Sequence, residues 1–167
     1  VTSYGSLLKV CRDLLHEKIP IIDMLTIIEA VADIAEFTKA PDVLLEHVRA
    51  KLYRLITQKF KDTDGVLHII TIKPELEQQF IGKIQEHHGV SQLMLSIAEI
   101  NNLVTKTKKL LDSIEVKGFS KITMVVDPIL RKRISEIYEK FGLQVSVLSH
   151  AELDSKANFA IEGTLEF

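Results

Sequence analysis

The sequence predicts a helical bundle followed by an α/β unit with a small, mainly parallel sheet. Three observations carry that reading. Before residue 62 the apolar residues recur every three or four positions, the period of a helix face. After Gly65, short β-branched runs alternate with such stretches, and one phrase of strand, polar residue and proline occurs twice.

Leu7, Leu8, Cys11, Leu14 and Leu15 share one face of a first helix, which Pro20 stops because its ring removes an amide donor and crowds the preceding turn. A second helix starts near Asp23, whose charge suits a helix start, and carries Leu25, Ile28, Val31, Ala32 and Ala35. Thr38, Lys39 and Ala40 form its exit. Pro41 is tolerated at a first helical position, and Leu44, Leu45, Val48, Leu52, Leu55 and Ile56 give a third amphipathic helix. Asp62, Thr63, Asp64 and Gly65 are a cluster of turn residues, which divides the chain into a helical part, residues 1–64, and an α/β part, residues 65–167.

Val66 to Ile72 reads as a buried strand, followed at Pro74 by a helix to about Glu86 that His87, His88 and Gly89 end. Ser91 caps a long helix carrying Leu93, Ile97, Ile100, Val104, Leu110 and Leu111 to about Ser113. Ile122 to Val126 is a second strand; a helix from Pro128 carries Leu130, Ile134, Ile137, Tyr138 and Phe141, and Gly142 stops it. Val145 to Leu148 is a third strand, Ser149 with Glu152 forms a capping box for a short helix, and Phe159 to Phe167 alternates as a terminal strand. The segments Ile70 to Leu76 and Met124 to Leu130 are the repeated phrase, and two such units imply parallel strands joined by helical crossovers.

The chain has 167 residues, 46% of them hydrophobic and 26% charged, a composition that excludes disorder and low complexity. Its 21 basic and 23 acidic residues leave a net charge of -2, so no global field draws it to nucleic acid or an anionic membrane. Cys11 stands alone and can form neither an internal disulfide nor a thiolate zinc cluster. A membrane span needs about 18 apolar residues in a row; the best candidate, Ile19 to Ile28, is interrupted by Pro20, Asp23 and Thr26. Val1 in place of Met, with no signal-peptide pattern after it, leads to the expectation of a piece of a longer protein.

In an α/β sheet the carboxyl ends of the strands are where ligands bind, and Lys73 and Asp127 belong there. A small-molecule or hydrolytic reading makes Asp127 an acid or metal ligand and Lys73 an anion anchor; against it, both immediately precede a helix-opening proline and no glycine-rich loop follows either strand. His87 and His88 are adjacent and point about 100° apart on a helix, so they cannot chelate one ion together. His16 and Glu17 begin like a zinc-protease motif, but Pro20 stands where the second histidine belongs. Cys11 lies on the apolar stripe as a buried structural thiol. No catalytic residue, cofactor or metal is therefore assigned. Lys106, Lys108 and Lys109, and Arg131, Lys132 and Arg133, are basic clusters; without interleaved aromatics they read as solvated helix faces or protein contacts rather than an RNA surface.

The run from Leu14 through Pro20 to Asp23, continued by Leu25 to Asp33 and by Thr38 to Pro41, Leu44 and Glu46 to Arg49, resembles the carboxyl-terminal cytoplasmic region of the type III secretion export-gate family. Ile70 to Glu77, Val125 to Pro128 with Leu130 and Arg131, and Val147 to His150 with Glu152 and Leu153, look like the same family's closing elements. Ile22 and Ala40 depart from it, standing where many relatives carry a basic and an acidic residue.

The resemblance implies a non-enzymatic part in protein export. Members combine a multi-pass membrane half with a cytoplasmic half of four subdomains, which assembles as a nine-subunit ring at the cytoplasmic face of the bacterial inner membrane. That ring meets chaperone-bound substrates, the export ATPase complex and the specificity-switch protein. The two parts of this chain look like the third and fourth subdomains, and the chaperone-docking groove belongs to the first two. The Thr38, Lys39 and Pro41 loop favours the flagellar branch over the virulence injectisome. Asp23, Thr26, Glu29, Arg49 and Arg54 lie off the apolar stripes; either they are simply solvated, or some of them form subunit or partner contacts.

Overall fold

The computed structural model describes residues 4–167, so residues 1–3 of the helical part lie outside the described residues. Its elements run α1 (Tyr4–His16), α2 (Met24–Ala35), α3 (Pro41–Lys51), α4 (Tyr53–Phe60), β1 (Leu67–Ile72), α5 (Pro74–Ile81), β2 (Ile84–His87), β3 (Val90–Leu93), α6 (Ile97–Glu115), β4 (Thr123–Val126), α7 (Pro128–Lys140), β5 (Ser146–Ser149) and β6 (Phe159–Leu165).

The repeated phrase is the centre of the sheet. Ile70 pairs with Met124 and Thr71 with Val125 in parallel register, so its two copies lie side by side as β1 and β4. β5 extends the sheet beyond β4, and the terminal strand β6 pairs with the other edge of β1, giving the all-parallel order β5-β4-β1-β6. β1 and β4 are covered on both faces, which is why they read as nearly continuous apolar runs. Ile70, Ile72, Met124, Val126 and Val147 meet α5, α6 and α7 through Leu76, Phe80, Leu103, Leu130, Ile134 and Tyr138. Leu67, Ile69, Val125 and Leu148 on the opposite face join the core of the four leading helices, with Leu14, Ile27, Leu44, Val48 and Ile56. Cys11 is in that core, and burial pushes its thiol pKa up.

Local signals explain the boundaries. Pro41, Pro74 and Pro128 open α3, α5 and α7 at the position where a missing amide costs nothing. Asp23 caps α2 by accepting from the Thr26 amide at 3.2 Å. The predicted box at Ser149 and Glu152 is present, and Gly142, at φ 71°, ends α7 in the left-handed conformation.

Four expectations need correction. The helix from Pro74 does not reach Glu86: it stops at Ile81, and Ile84 to Leu93 form a hairpin whose two-residue loop, His88 and Gly89, has φ of 51° and 76°. That pair of positive angles is what a tight hairpin turn needs, and in sequence the same His88 and Gly89 resemble a helix end. Ser91 accordingly lies in β3, and the cap of α6 is Ser96, which forms a reciprocal box with Glu99. The single third helix is two, α3 and α4, meeting at Leu52, whose amide is shared between the Val48 and Arg49 carbonyls. In α2 the buried face is Ile27, Ala30 and Val31; the helix is apolar nearly all round, and Leu25, Ile28 and Ala32 are exposed.

Candidate subunit interface

Of the five predicted contact residues, the structure brings three together. Asp23, Thr26 and Arg54 line one small hollow of 300 Å³ where the start of α2 meets the start of α4, with Tyr53 and Leu55 beside them. Asp23 holds both the amide and the hydroxyl of Thr26, the latter at 2.7 Å, and the Arg54 guanidinium lies 5.4 Å from the Tyr53 ring centre. Glu29 is exposed further along α2. Around these polar groups Ile22, Leu25 and Ile28 are 81%, 68% and 46% exposed. Three large aliphatic side chains at this spacing form an exposed apolar stripe, the kind of patch that makes a candidate contact surface.

A second apolar surface lies at the far end of α2, which at 1.5 Å per residue is about 18 Å long. Phe37, 84% exposed, Val43 and Ile129 line a groove of 570 Å³ that also takes in Ile34, His47 and Pro128. Sequence reasoning missed both surfaces. The available signal was that α2 has more apolar residues than one buried face can use.

Arg49 is the exception among the five, because it is buried and unavailable to another molecule. Its Nε donates to Glu152 at 2.6 Å and its guanidinium reaches Glu17 at 3.1 Å. Arg131, taken with Lys132 and Arg133 as a solvated cluster, is buried too: it donates to Glu46 at 2.7 Å and to the same Glu17. Lys132 and Arg133 both reach Asp42. The basic side of α7 thus faces acids of the leading helices and the α1 to α2 loop. Burial pushes the Glu46 carboxyl up against the opposing pull of Arg131. Burial alone lowers the Arg131 value, but Glu46 and Glu17 more than offset it and hold the guanidinium protonated.

Lys73 and Asp127 do sit at strand ends, and each is engaged within the chain. Lys73 pairs with Glu166 at 3.2 Å, and the Asp127 carboxylate caps α7 by accepting from the Ile129 amide at 3.0 Å. His16, away from both surfaces, meets Glu139 at 2.9 Å, and that contact raises its pKa.

The sequence profile of the FHIPEP family matches residues 1–158. The chain belongs to the FHIPEP family. A curated relative, the flagellar biosynthesis protein FlhA of Helicobacter pylori strain J99, is 40% identical over 162 residues, covering 96% of this chain and 22% of its own length. FlhA of Escherichia coli K12 is 29% identical over 165 residues, 99% of this chain and 23% of the relative. This FHIPEP chain therefore spans about a fifth of the length of these relatives. Among solved structures it resembles nonameric EPEC SctV-C, with a TM-score of 0.84 at 20% identity over 96% of this chain and 48% of that one. The Chlamydia pneumoniae CdsV protein in its complex with CdsO gives 0.83 at 21%, over 97% and 47%. Likenesses at that identity establish the FHIPEP fold as a helical part joined to a mainly parallel α/β part. Among the described residues no helix is long and apolar enough to cross a membrane.

Proposed function

We propose that the chain is part of the cytoplasmic ring of a flagellar type III protein export gate and works through protein contacts rather than catalysis. Residues 1–64 and 65–167 correspond in this reading to the third and fourth cytoplasmic subdomains of the full protein, at the cytoplasmic face of the inner membrane. The observation that carries it is the exposed Ile22, Leu25 and Ile28 stripe on α2, in a chain 40% identical to a flagellar FlhA. The stripe and the Phe37 groove are different surfaces. If one protomer's stripe meets the next protomer's groove, the contact is head-to-tail, and a head-to-tail contact that closes on itself makes a ring. The nonameric state of EPEC SctV-C supports assembly into a ring. Asp23, Thr26, Glu29 and Arg54 then frame the contact and set its register, while substrate, chaperone, ATPase-complex and switch-protein contacts belong to the assembled ring.

The test is the assembly state of the full cytoplasmic region carrying Leu25→Asp and Ile28→Asp, by native mass spectrometry and electron microscopy. Rings in the parent and folded monomers in the variant are expected, together with lost export in cells. Rings that persist unchanged would falsify the interface. Arg54→Glu provides a milder probe that leaves the apolar stripe intact.

A further inference from the structure

β6 is an edge strand: β1 pairs with one side of it, and among the described residues no strand pairs with the other. An edge of this kind presents backbone donors and acceptors to any extended chain that approaches. What flanks it differs on the two faces of the sheet. On the α6 face, at the end of β6, Lys106 and Lys109 line a groove of 390 Å³ with Leu110, Leu165 and Glu166, whose carboxylate is paired with Lys73. Lys106 is spent on the Glu166 carbonyl at 3.2 Å, whereas Lys109 has no ion-pair partner among the described residues. On the opposite face Phe159 and Ile161 are 49% and 62% exposed. Both occupy register positions opposite Leu67 and Ile69, so they point to the same side of the sheet.

We propose that the open edge of β6 takes up an extended segment of a partner protein in which acidic and apolar residues alternate. Side chains of a strand point alternately to the two faces. A segment laid along β6 places alternate residues beside Phe159 and Ile161 on one face, and its residues on the other face reach the α6 lysines at the Thr164 to Glu166 end, past the β-bulge at Glu162. Apolar residues suit the first set and carboxylates the second. The sheet then gains a fifth strand, with affinity from main-chain hydrogen bonds and selectivity from the two flanks. The lysines that read as a solvated helix face acquire a use, in a chain whose overall charge of -2 gives no other reason to attract acids.

The probe is an acetylated, amidated heptapeptide alternating glutamate with valine, titrated into the isotope-labelled chain and followed by amide chemical shifts and hydrogen exchange. Expected are shifts centred on residues 159–165, slowed exchange of outward-facing β6 amides, and affinity reduced about tenfold by Lys106→Glu with Lys109→Glu, both of them surface changes that leave the core alone. Binding weakens with added salt. A peptide with proline at its centre should not bind, because it cannot complete the ladder. The proposal is overturned if β6 amides do not respond at millimolar peptide, or if the proline peptide binds equally well, which would leave only charge attraction. It is equally overturned if β6 is already occupied by a second copy in peptide-free solution, seen as concentration-dependent exchange protection.

Discussion

Arg131 on α7 and Glu46 on α3 are joined by a hydrogen bond of 2.7 Å between Nε and Oε1, across 85 residues of chain. Arg131 also donates to Glu17, which Arg49 contacts in turn, so two buried guanidiniums share one carboxylate where the leading helices meet the α/β part. Removing one partner of such a network strands a charge away from water. Arg131→Ala is expected to cost about 3–5 kcal/mol, and Arg131→Lys less, since an ammonium keeps the charge but cannot span both carboxylates. Urea unfolding monitored by circular dichroism measures both, and a loss under about 1 kcal/mol for the alanine variant would remove the network from the stabilising interactions.

His68 provides a pH dependence of determined sign. Its ring nitrogens face Glu162 at 2.9 Å and Asp64 at 2.8 Å, a geometry the doubly protonated imidazolium satisfies on both sides, and its ring stacks on Phe119. Burial opposes the charge, but the two carboxylates outweigh it and raise the His68 pKa. Glu162 is held low chiefly by His68; Asp64 is held low by the Val66 amide and then by His68. The raised histidine stabilises fully below its ordinary value and loses that contribution as pH climbs through its folded value. The depressed carboxylates do the reverse, fading as pH falls. The trio therefore stabilises most between about pH 4.5 and 6.5. Denaturation midpoints across pH should decline on the alkaline side for the parent chain and decline less for His68→Gln. Equal slopes in the two proteins would assign the pH dependence elsewhere.

At Gly163 α6 approaches the sheet closely through Leu110. A Cβ there would lie 2.7 Å from Leu110 Cδ1. Gly163→Ala is expected to cost about 1–3 kcal/mol by overpacking. Adding Leu110→Ala should recover part of that loss, giving a double mutant less unstable than the sum of its parts. Strict additivity in thermal or urea denaturation would show that Leu110 moves aside freely.

Tyr138 and Thr107 tie α7 to α6 through a buried hydroxyl pair at 2.8 Å, and burial raises the phenol's pKa. Tyr138→Phe leaves the Thr107 hydroxyl without this partner and is expected to cost about 1–3 kcal/mol. Tyr138→Phe with Thr107→Val removes both polar groups and should be more stable than the single change. If the double variant is the weaker of the two, the hydroxyl pair is not the source of the effect.

Local chemistry made much of this architecture legible. Pro74 and Pro128 each follow a β-branched run, so the strand-to-helix junctions, and the neighbouring positions of Ile70 and Met124, follow from short-range constraints. The hairpin was hidden because His88 adopts a positive φ that its residue type does not announce. Arg49 and Arg131 were unreadable for a different reason: their burial depends on carboxylates 32, 85, 103 and 114 positions away, and nothing local in a helix marks an arginine for the interior. Asp23 and Thr26 were recognised as polar surface positions, yet the Leu25 and Ile28 between and beside them were assigned to the core. Periodicity shows that a helix has an apolar face, and α2 has two.

The placement of β6 also governs how the chain can be made. Of the four strands in this sheet β1 is made first, but its neighbour β6 is made last, so on the ribosome that edge of β1 stays unsatisfied until residue 165 has emerged. Until then a strand as apolar as Leu67 to Ile72 is a template for the wrong partner. Long-range pairings of this kind form slowly, because the chain must close a large loop before any contact rewards it. A nascent chain stalled before Phe159 is therefore predicted to be a better chaperone client and a more aggregation-prone species than one that includes β6.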